Sequence, residues 1–487
     1  MRIWRVRVSR RALILSAGAA GLARALPLRR SYAEPATKEY RLAAKSAAVN
    51  LTGHGYPDTA VWAYEGTVPG PELRVRRGQP VRITVVNKLG EGTTVHWHGI
   101  RLPNAMDGVP GLTQKPIRPG ESFVYEFTPP DAGTFWYHPH ADPLQQLGRG
   151  LAGALIVEEL EPVPGIDRDL LWLIEDWRLD DKGRIAGGFG SRMEAGMSGR
   201  IGNTVTINGR APSSVLVKAG ERVRLRIVNA ALARIVGLRF DGHNPAVVAY
   251  DGQPCEAHSP EGGRVVLGPA MRADLVIDMT GTPGQSYRVI DDYYEDLPYK
   301  FADLAYESGQ QVRQRSSDPP PKLPANPLPE PDLAAAERHE IALQGGMMGG
   351  MGMMSGAGMM GRGGMMSGMG MMGHDGATWA MNGMAMTGDG QLNMPPLFAI
   401  QRGKSCILAL RNETAWWHPM HLHGHSFRVI SRNGQPNPRR EWRDTVLVPP
   451  RESADLAFVA DHPGDWMFHC HVTDHQQAGM MGIIRIT

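Results

Sequence analysis

One unit, strand–glycine–strand–asparagine, occurs three times along the chain. Pro71-Glu-Leu-Arg-Val-Arg-Arg-Gly78 runs through Val81-Arg-Ile-Thr-Val-Val to Asn87. Ser214-Val-Leu-Val-Lys-Ala-Gly220 runs through Val223-Arg-Leu-Arg-Ile-Val to Asn229, and Leu397-Phe-Ala-Ile-Gln-Arg-Gly403 through Cys406-Ile-Leu-Ala-Leu-Arg to Asn412. In every copy the glycine precedes the asparagine by nine residues. Alternation after a glycine turn reads as a half-buried strand, and a unit returning at long intervals reads as a repeated domain. A second element closes the copies: Gly133-Thr-Phe-Trp-Tyr-His138, Gly284-Gln-Ser-Tyr-Arg-Val289 and Gly464-Asp-Trp-Met-Phe-His469. Short strands between Gly/Pro turns, with little helical periodicity, imply an all-β chain of three Greek-key β-sandwiches. The domains are expected near 38–160, 165–325 and 335–487, with the proline-rich run Ser317 to Pro331 as a linker between the last two.

Composition narrows the function. The length of 487 residues suits about three domains. With 52 basic against 49 acidic residues the net charge is only +3, so no electrostatic footprint for nucleic acid is present. Three cysteines with no Cys-x-x-Cys pair exclude a disulfide scaffold and a zinc ribbon. Cys255 and Cys406 read as small buried hydrophobes. Residues 1–33 read as a targeting segment: Arg10-Arg11, the apolar run Leu13 to Leu22, and Ser31-Tyr32-Ala33 as a cleavage site. Paired arginines before a mildly apolar run resemble a twin-arginine export signal, which implies a periplasmic mature protein. No other segment is long and apolar enough for a membrane span. A monomer is expected.

The repeats align the histidines. Ten of the 17 fall into four clusters: His96-Trp-His98, His138-Pro-His140, His418-Pro-Met-His421-Leu-His423, and His469-Cys470-His471 followed by His475 and Met480. His96 and His98 lie nine and eleven residues after Asn87, as His421 and His423 do after Asn412. His138 and His140 lie five and seven after Gly133, as His469 and His471 do after Gly464. The middle copy has Leu238, Phe240, Val289 and Asp291 at those positions, so it supplies no matching set. Side chains at i and i+2 of a strand share a face. Four His-x-His pairs from the first and third domains therefore converge eight imidazoles, enough for about three metal ions with positions left open for a small ligand. Cys470 points to the opposite face from His469 and His471. Joined there by His418, His475 and Met480, it describes a blue-copper electron-transfer site. The equivalent of Cys470 in the first domain is Pro139, so only the third domain builds such a site. Structural zinc, the metallic competitor, favours four closed ligands and has no use for Met480. His54, His243, His258, His339, His425 and His462 fit no cluster and read as structural or solvated.

These four clusters resemble the copper motifs of the multicopper oxidases, of the three-domain bacterial laccase and cuprous oxidase type, over essentially the whole mature chain. The resemblance implies three cupredoxin-like domains and four copper ions. It allots type 1 copper to His418, Cys470 and His475 with Met480 axial, and type 2 copper to His96 and His421. The binuclear type 3 pair falls to His98, His138, His140, His423, His469 and His471. It further implies four one-electron oxidations of a reducing substrate coupled to reduction of O2 to two waters. Asp107, eleven residues after His96, matches the family's acidic position near type 2 copper and is expected to relay protons. Gln476 stands where several bacterial relatives carry an acid after the second type 1 histidine; Asp474 is nearby.

The insertion 345–394 carries an unusual run of Met and Gly: 16 of the 26 methionines lie between Met347 and Met394. Such glycine content opposes a stable helix, and the bland reading is a low-complexity insertion. Thioethers favour Cu(I), and the segment resembles the methionine-rich insertion of bacterial cuprous oxidases, which implies Cu(I) as substrate and additional Cu(I) on the segment; His374 and Asp375 are candidate extra ligands. Those relatives have an aspartate four residues before the first type 1 histidine; here the position is Thr414, beside Glu413. Two rivals stand beside this expectation: a laccase-like oxidase of phenols, and a periplasmic copper-sequestering protein without turnover.

Overall fold

A computed structural model describes residues 36–487 except 54, 212–213, 310, 313–317, 348–377 and 388–394. The expected targeting segment 1–33, most of the methionine-rich run, His54, His374 and Asp375 lie outside the described residues.

Among the described residues the strands gather into six sheets, two from each third of the chain. The first sandwich pairs a sheet of Lys38–Val49, Thr59–Tyr64, Val81–Asn87 and Ser122–Phe127 with a sheet of Gly70–Arg76, His96–His98, Gly133–His138 and Gly153–Glu158. The second stacks a six-stranded on a five-stranded sheet, and the third a seven-stranded on a five-stranded sheet. Neighbouring strands are often far apart in sequence, as when Lys38–Val49 lies parallel to Val81–Asn87, which is the crossing expected of Greek-key sandwiches. The asparagine ending each repeated strand explains its recurrence. The side-chain amides of Asn87, Asn229 and Asn412 each donate to one carbonyl just beyond the strand (Glu91, Arg234, Trp416) and to one or two in a more distant segment (Ile117, Leu267, Val448 and Pro449), closing the same corner three times. Among the described residues helices are short, and no helix is long and apolar enough to cross a membrane.

Two sequence expectations need correction. The strand Arg222–Asn229 does not alternate between core and solvent; all eight residues are buried. Its polar face is covered by the first sandwich. Arg224 reaches Asp274 (2.6 Å) and Glu159 (2.7 Å), and Arg226 reaches Asp169 (2.8 Å) and the Thr134 hydroxyl (2.9 Å). Burial of arginine is tolerable only with such pairing. The run after residue 317 is likewise no loose linker. Leu323 is buried against Val248 and Val276, Asn326 bonds to Ala132 and Gln253, and the Pro327 carbonyl accepts from Arg101. It is a strap tied to the first and second sandwiches. The three cysteines are free thiols; burial pushes Cys255 up to about 12 and raises Cys406 as well.

Candidate metal centre

In the first sandwich, His96–His98 pairs antiparallel with Gly133–His138, placing His96 opposite His138. In the third, His418–Leu422 pairs with Gly464–Cys470, placing His421 opposite His469. The repeat thus reproduces not just spacing but register. The two sets meet face to face: His96 stacks on His423 with ring centroids 3.9 Å apart, and His98 on His421 at 3.7 Å. Their ligand atoms fall into groups within 4.8 Å of one another: His98, His138 and His471; His140, His423 and His469; His96, His98 and His421.

The outer nitrogens of these rings are tied down. Nδ1 of His96, His138, His421 and His469 donates to the main-chain carbonyls of Asp107, Pro139, Asp444 and Cys470 at 2.8–3.0 Å. Nδ1 of His423 donates to Asp107 Oδ2 (2.8 Å), whose other oxygen lies 3.2 Å from His96 Nδ1. These bonds leave Nε2 of His96, His138 and His421 buried with no partner. His98 is turned the other way: Nε2 faces Asp444 Oδ1 (3.1 Å) and Thr445 Oγ1 (3.2 Å), and its Nδ1 is unpartnered. Both nitrogens of His471 lack partners. A buried polar atom without a partner costs about 1–3 kcal/mol, so this many at one spot mark a place built for a ligand. Burial, then neighbouring imidazoles, depress the basicity of His98, His423 and His471, so the rings are neutral, as metal ligation requires.

On the opposite face of Gly464–Cys470, the Cys470 Sγ lies 3.5 Å from His418 Nδ1 and 3.7 Å from His475 Nδ1, and those two nitrogens are 3.2 Å apart. All three side chains are fully buried, as is Met480. The backbone N–H of Cys470 donates to the Met480 carbonyl (3.0 Å), and that of Met480 to the His475 carbonyl (2.9 Å), which folds the chain after Thr473–Gln477 back onto the thiol. Burial holds the Cys470 thiol far above its usual range, so only a bound cation would deprotonate it. His418 Nε2 is taken by the Thr414 hydroxyl (2.8 Å) and His475 Nε2 by the Met197 carbonyl (2.6 Å). Thr414 thus orients His418 where a carboxylate was the family expectation. One thiol and two imidazoles at these separations suit a single copper ion, and the unpartnered nitrogens suit several more.

Asp107 is buried beneath His96 and His423, where it can position both. Gln476 approaches His140 (Nε2 to Nε2 3.5 Å), whereas Asp474 turns away and accepts from the Arg200 N–H (2.8 Å). Asp474 is therefore on the wrong side for that position; burial pushes it up to about 6. His425 and His462 flank Asp461, apart from the clusters.

Sequence reasoning missed four neighbours. Asp444 and Thr445 touch both His98 and His421, and Arg272 of the middle sandwich grips Asp444. Trp379 packs on both rings of the thiol site, 4.3 Å from His475 and 5.0 Å from His418. None belongs to a repeat. The one available signal was cross-strand register, His421 opposite Thr445, which appears only once the strands pair.

Comparison with known proteins follows the same lines. Family models described as multicopper oxidase match residues 45–162, 168–306 and 369–487. The chain is 29% identical to the multicopper oxidase MmcO of Mycobacterium tuberculosis, over 88% of this chain and 83% of that protein. Among solved structures, it is 35% identical to a multi-copper oxidase from Pseudomonas thermotolerans, with a TM-score of 0.79, covering 93% of this chain and all of that one. A multicopper oxidase from Campylobacter jejuni, described as a metallo-oxidase, is 28% identical with a TM-score of 0.76, covering 92% and 91% of the two chains.

Proposed function

The chain belongs to the multicopper oxidase family, and from that premise we propose an exported oxidase that couples four one-electron oxidations, with Cu(I) the favoured donor, to reduction of dioxygen. The domains near 38–160, 165–325 and 335–487 act as its cupredoxin units, and residues 1–33 send it to the periplasm by the twin-arginine route. His418, Cys470 and His475, with Met480, would hold type 1 copper. His96 and His421 would hold type 2, and the groups His98–His138–His471 and His140–His423–His469 the type 3 pair. Bound copper supplies one-electron redox chemistry, and four electrons with four protons convert O2 to two waters.

The observation that carries this reading is the placement of Cys470. Its thiol faces one site, while its covalent neighbours His469 and His471 enter the two different three-histidine groups on the other face. Electrons arriving at the thiol therefore have a short bonded path to both groups. Asp107 holds the Nδ1 protons of His96 and His423, and it is the acid best placed to pass protons inward.

Cu(I) is favoured by how the thiol site is closed. Both outer imidazole nitrogens already have protein partners, and the rings are fully buried under Trp379. A phenol therefore finds no imidazole N–H to bond. Trp379 pairs with Gly345, so described residues on both sides of the methionine-rich run 348–377 lie beside this site. The likeness to a multicopper oxidase described as a metallo-oxidase supports a metal ion as donor. A second reading, oxidation of aromatic reductants, has its own support. Trp417, next to His418, is 37% exposed and meets Tyr293 at 6.0 Å.

The test is oxygen uptake driven by Cu(I) or by a phenol, in the full chain and in a form lacking 348–373, with copper content measured. Cu(I) turnover should fall at least about tenfold in the shortened form, with phenol turnover unchanged or raised. Equal loss of both activities would argue against the segment's role. A copper-loaded protein that consumes no oxygen with either donor would instead be a copper-sequestering protein.

A further inference from the structure

The middle sandwich supplies no histidine to the copper groups among the described residues, yet one of its side chains lies against them. Arg272 is fully buried. Its guanidinium donates to both oxygens of Asp444, Nη1 to Oδ1 at 2.7 Å and Nη2 to Oδ2 at 2.5 Å. Its remaining donors reach the Thr134 carbonyl of the first sandwich (3.3 Å) and the Ala270 carbonyl (3.2 Å). Asp251, also of the middle sandwich, accepts from the Arg272 N–H (2.8 Å) and, through its other oxygen, from the Asp444 and Thr445 N–H groups (3.4 and 3.2 Å). Residue 444 is thus gripped by side chain and main chain at once.

Residue 444 in turn fixes one ligand from each flanking sandwich. Its main-chain carbonyl accepts from His421 Nδ1 (2.8 Å), which directs His421 Nε2 inward. Its carboxylate accepts from His98 Nε2 (3.1 Å), assisted by the Thr445 hydroxyl, which itself donates to Asp444 Oδ1 (2.8 Å). His98 is therefore left to offer Nδ1, the reverse of the other tied rings. A ring with a fixed proton on one nitrogen presents its lone pair on the other.

We propose that Arg272 is a positioning residue for the trinuclear copper site. Through Asp444 it sets which nitrogen His98 and His421 offer, so the ligand-free middle sandwich determines the geometry of a cluster built by the other two. The proposal rests on the four-copper reading above. A planar fork suits it: lysine would keep the charge without gripping both oxygens in one plane.

The experiment compares copper-loaded, full-length wild type, Arg272→Met, Arg272→Lys and Arg226→Met. The last removes another buried arginine of the middle sandwich that touches no copper group. Three quantities are read: blue absorbance, copper per chain after dialysis against a chelator, and the type 2 paramagnetic resonance signal. Arg272→Met should keep its blue colour but lose cluster copper roughly 10- to 100-fold more readily, with an altered type 2 signal. Arg272→Lys should fall between it and wild type, and Arg226→Met should leave the type 2 signal unchanged. A blue Arg272→Met protein with four retained coppers and a wild-type signal overturns the proposal, as does an equal change in Arg226→Met. Should Arg272→Met fail to fold, the lysine variant decides, and wild-type retention and signal in it overturn the proposal. Wild-type protein holding far fewer than four coppers would instead overturn the oxidase reading.

Discussion

At the scale of single residues, the site is organised by what lies behind the imidazoles as much as by the imidazoles. Asp107 serves two rings at once, and an asparagine there would offer one acceptor in place of two. Asp107→Asn should therefore slow reoxidation by O2 about tenfold or more while leaving reduction of the blue site by substrate nearly unchanged. Stopped-flow traces of the two half-reactions check this, and unaltered reoxidation would remove Asp107 from the proton path. Cys470 has a different kind of partnership. Its thiol sits among two imidazoles in an apolar enclosure where a bare thiolate is disfavoured. Cys470→Ser should abolish blue absorbance and turnover but leave about three coppers per chain, read by metal analysis; a persisting blue band would rule out the thiol as ligand.

At the scale of elements, two of the repeated glycines, Gly133 and Gly464, mark places where one sandwich presses on another. Gly133, at φ +153°, has no room for a side chain because a Cβ would overlap the Gly252 backbone of the middle sandwich. Gly464, at φ +133°, has the Asn104 side chain of the first sandwich as its nearest neighbour, not backbone. Alanine should therefore cost more at 133 than at 464, by about 1–3 kcal/mol, seen as a lower denaturation midpoint for Gly133→Ala. Equal midpoints would mean that the Gly252 backbone accommodates a Cβ as readily as the Asn104 side chain does. The buried strand Arg222–Asn229 follows the same logic. Its arginines look like a solvated face in a single strand, and become an interface only when the Asp169, Glu159 and Asp274 carboxylates are brought to them.

At the scale of the whole molecule, neutral imidazoles locked inside a three-sandwich assembly make stability depend on pH. Burial depresses the pKa of His98, His138, His140, His423, His469 and His471 below the ordinary value. Below about pH 6.5 the unfolded chain binds protons on these rings and the folded chain does not, so their contribution is complete at higher pH and is lost as pH falls. Each such ring removes about 1.4 kcal/mol per pH unit in that range. Copper-free protein should accordingly lose thermal midpoint steeply between pH 6.5 and 5, and a flat profile would show that the rings are not buried together. The distribution of legible and illegible features follows from the range of the forces involved. Strand period and repeat spacing are properties of the local backbone. They suffice to group ten histidines around two faces of Gly464–Cys470, to set Cys470 apart from its neighbours, and to indicate three sandwiches. Arg272, Asp251, Asp444, Met197 and Trp379 carry no periodic mark. Their roles come from sandwiches packing on one another across hundreds of residues, where burial makes an unpaired charge or nitrogen costly and so compels each partner to be found. The chain's own pattern determined which atoms could serve as ligands; only tertiary packing decided which nitrogen each ring presents and how the thiol site is closed.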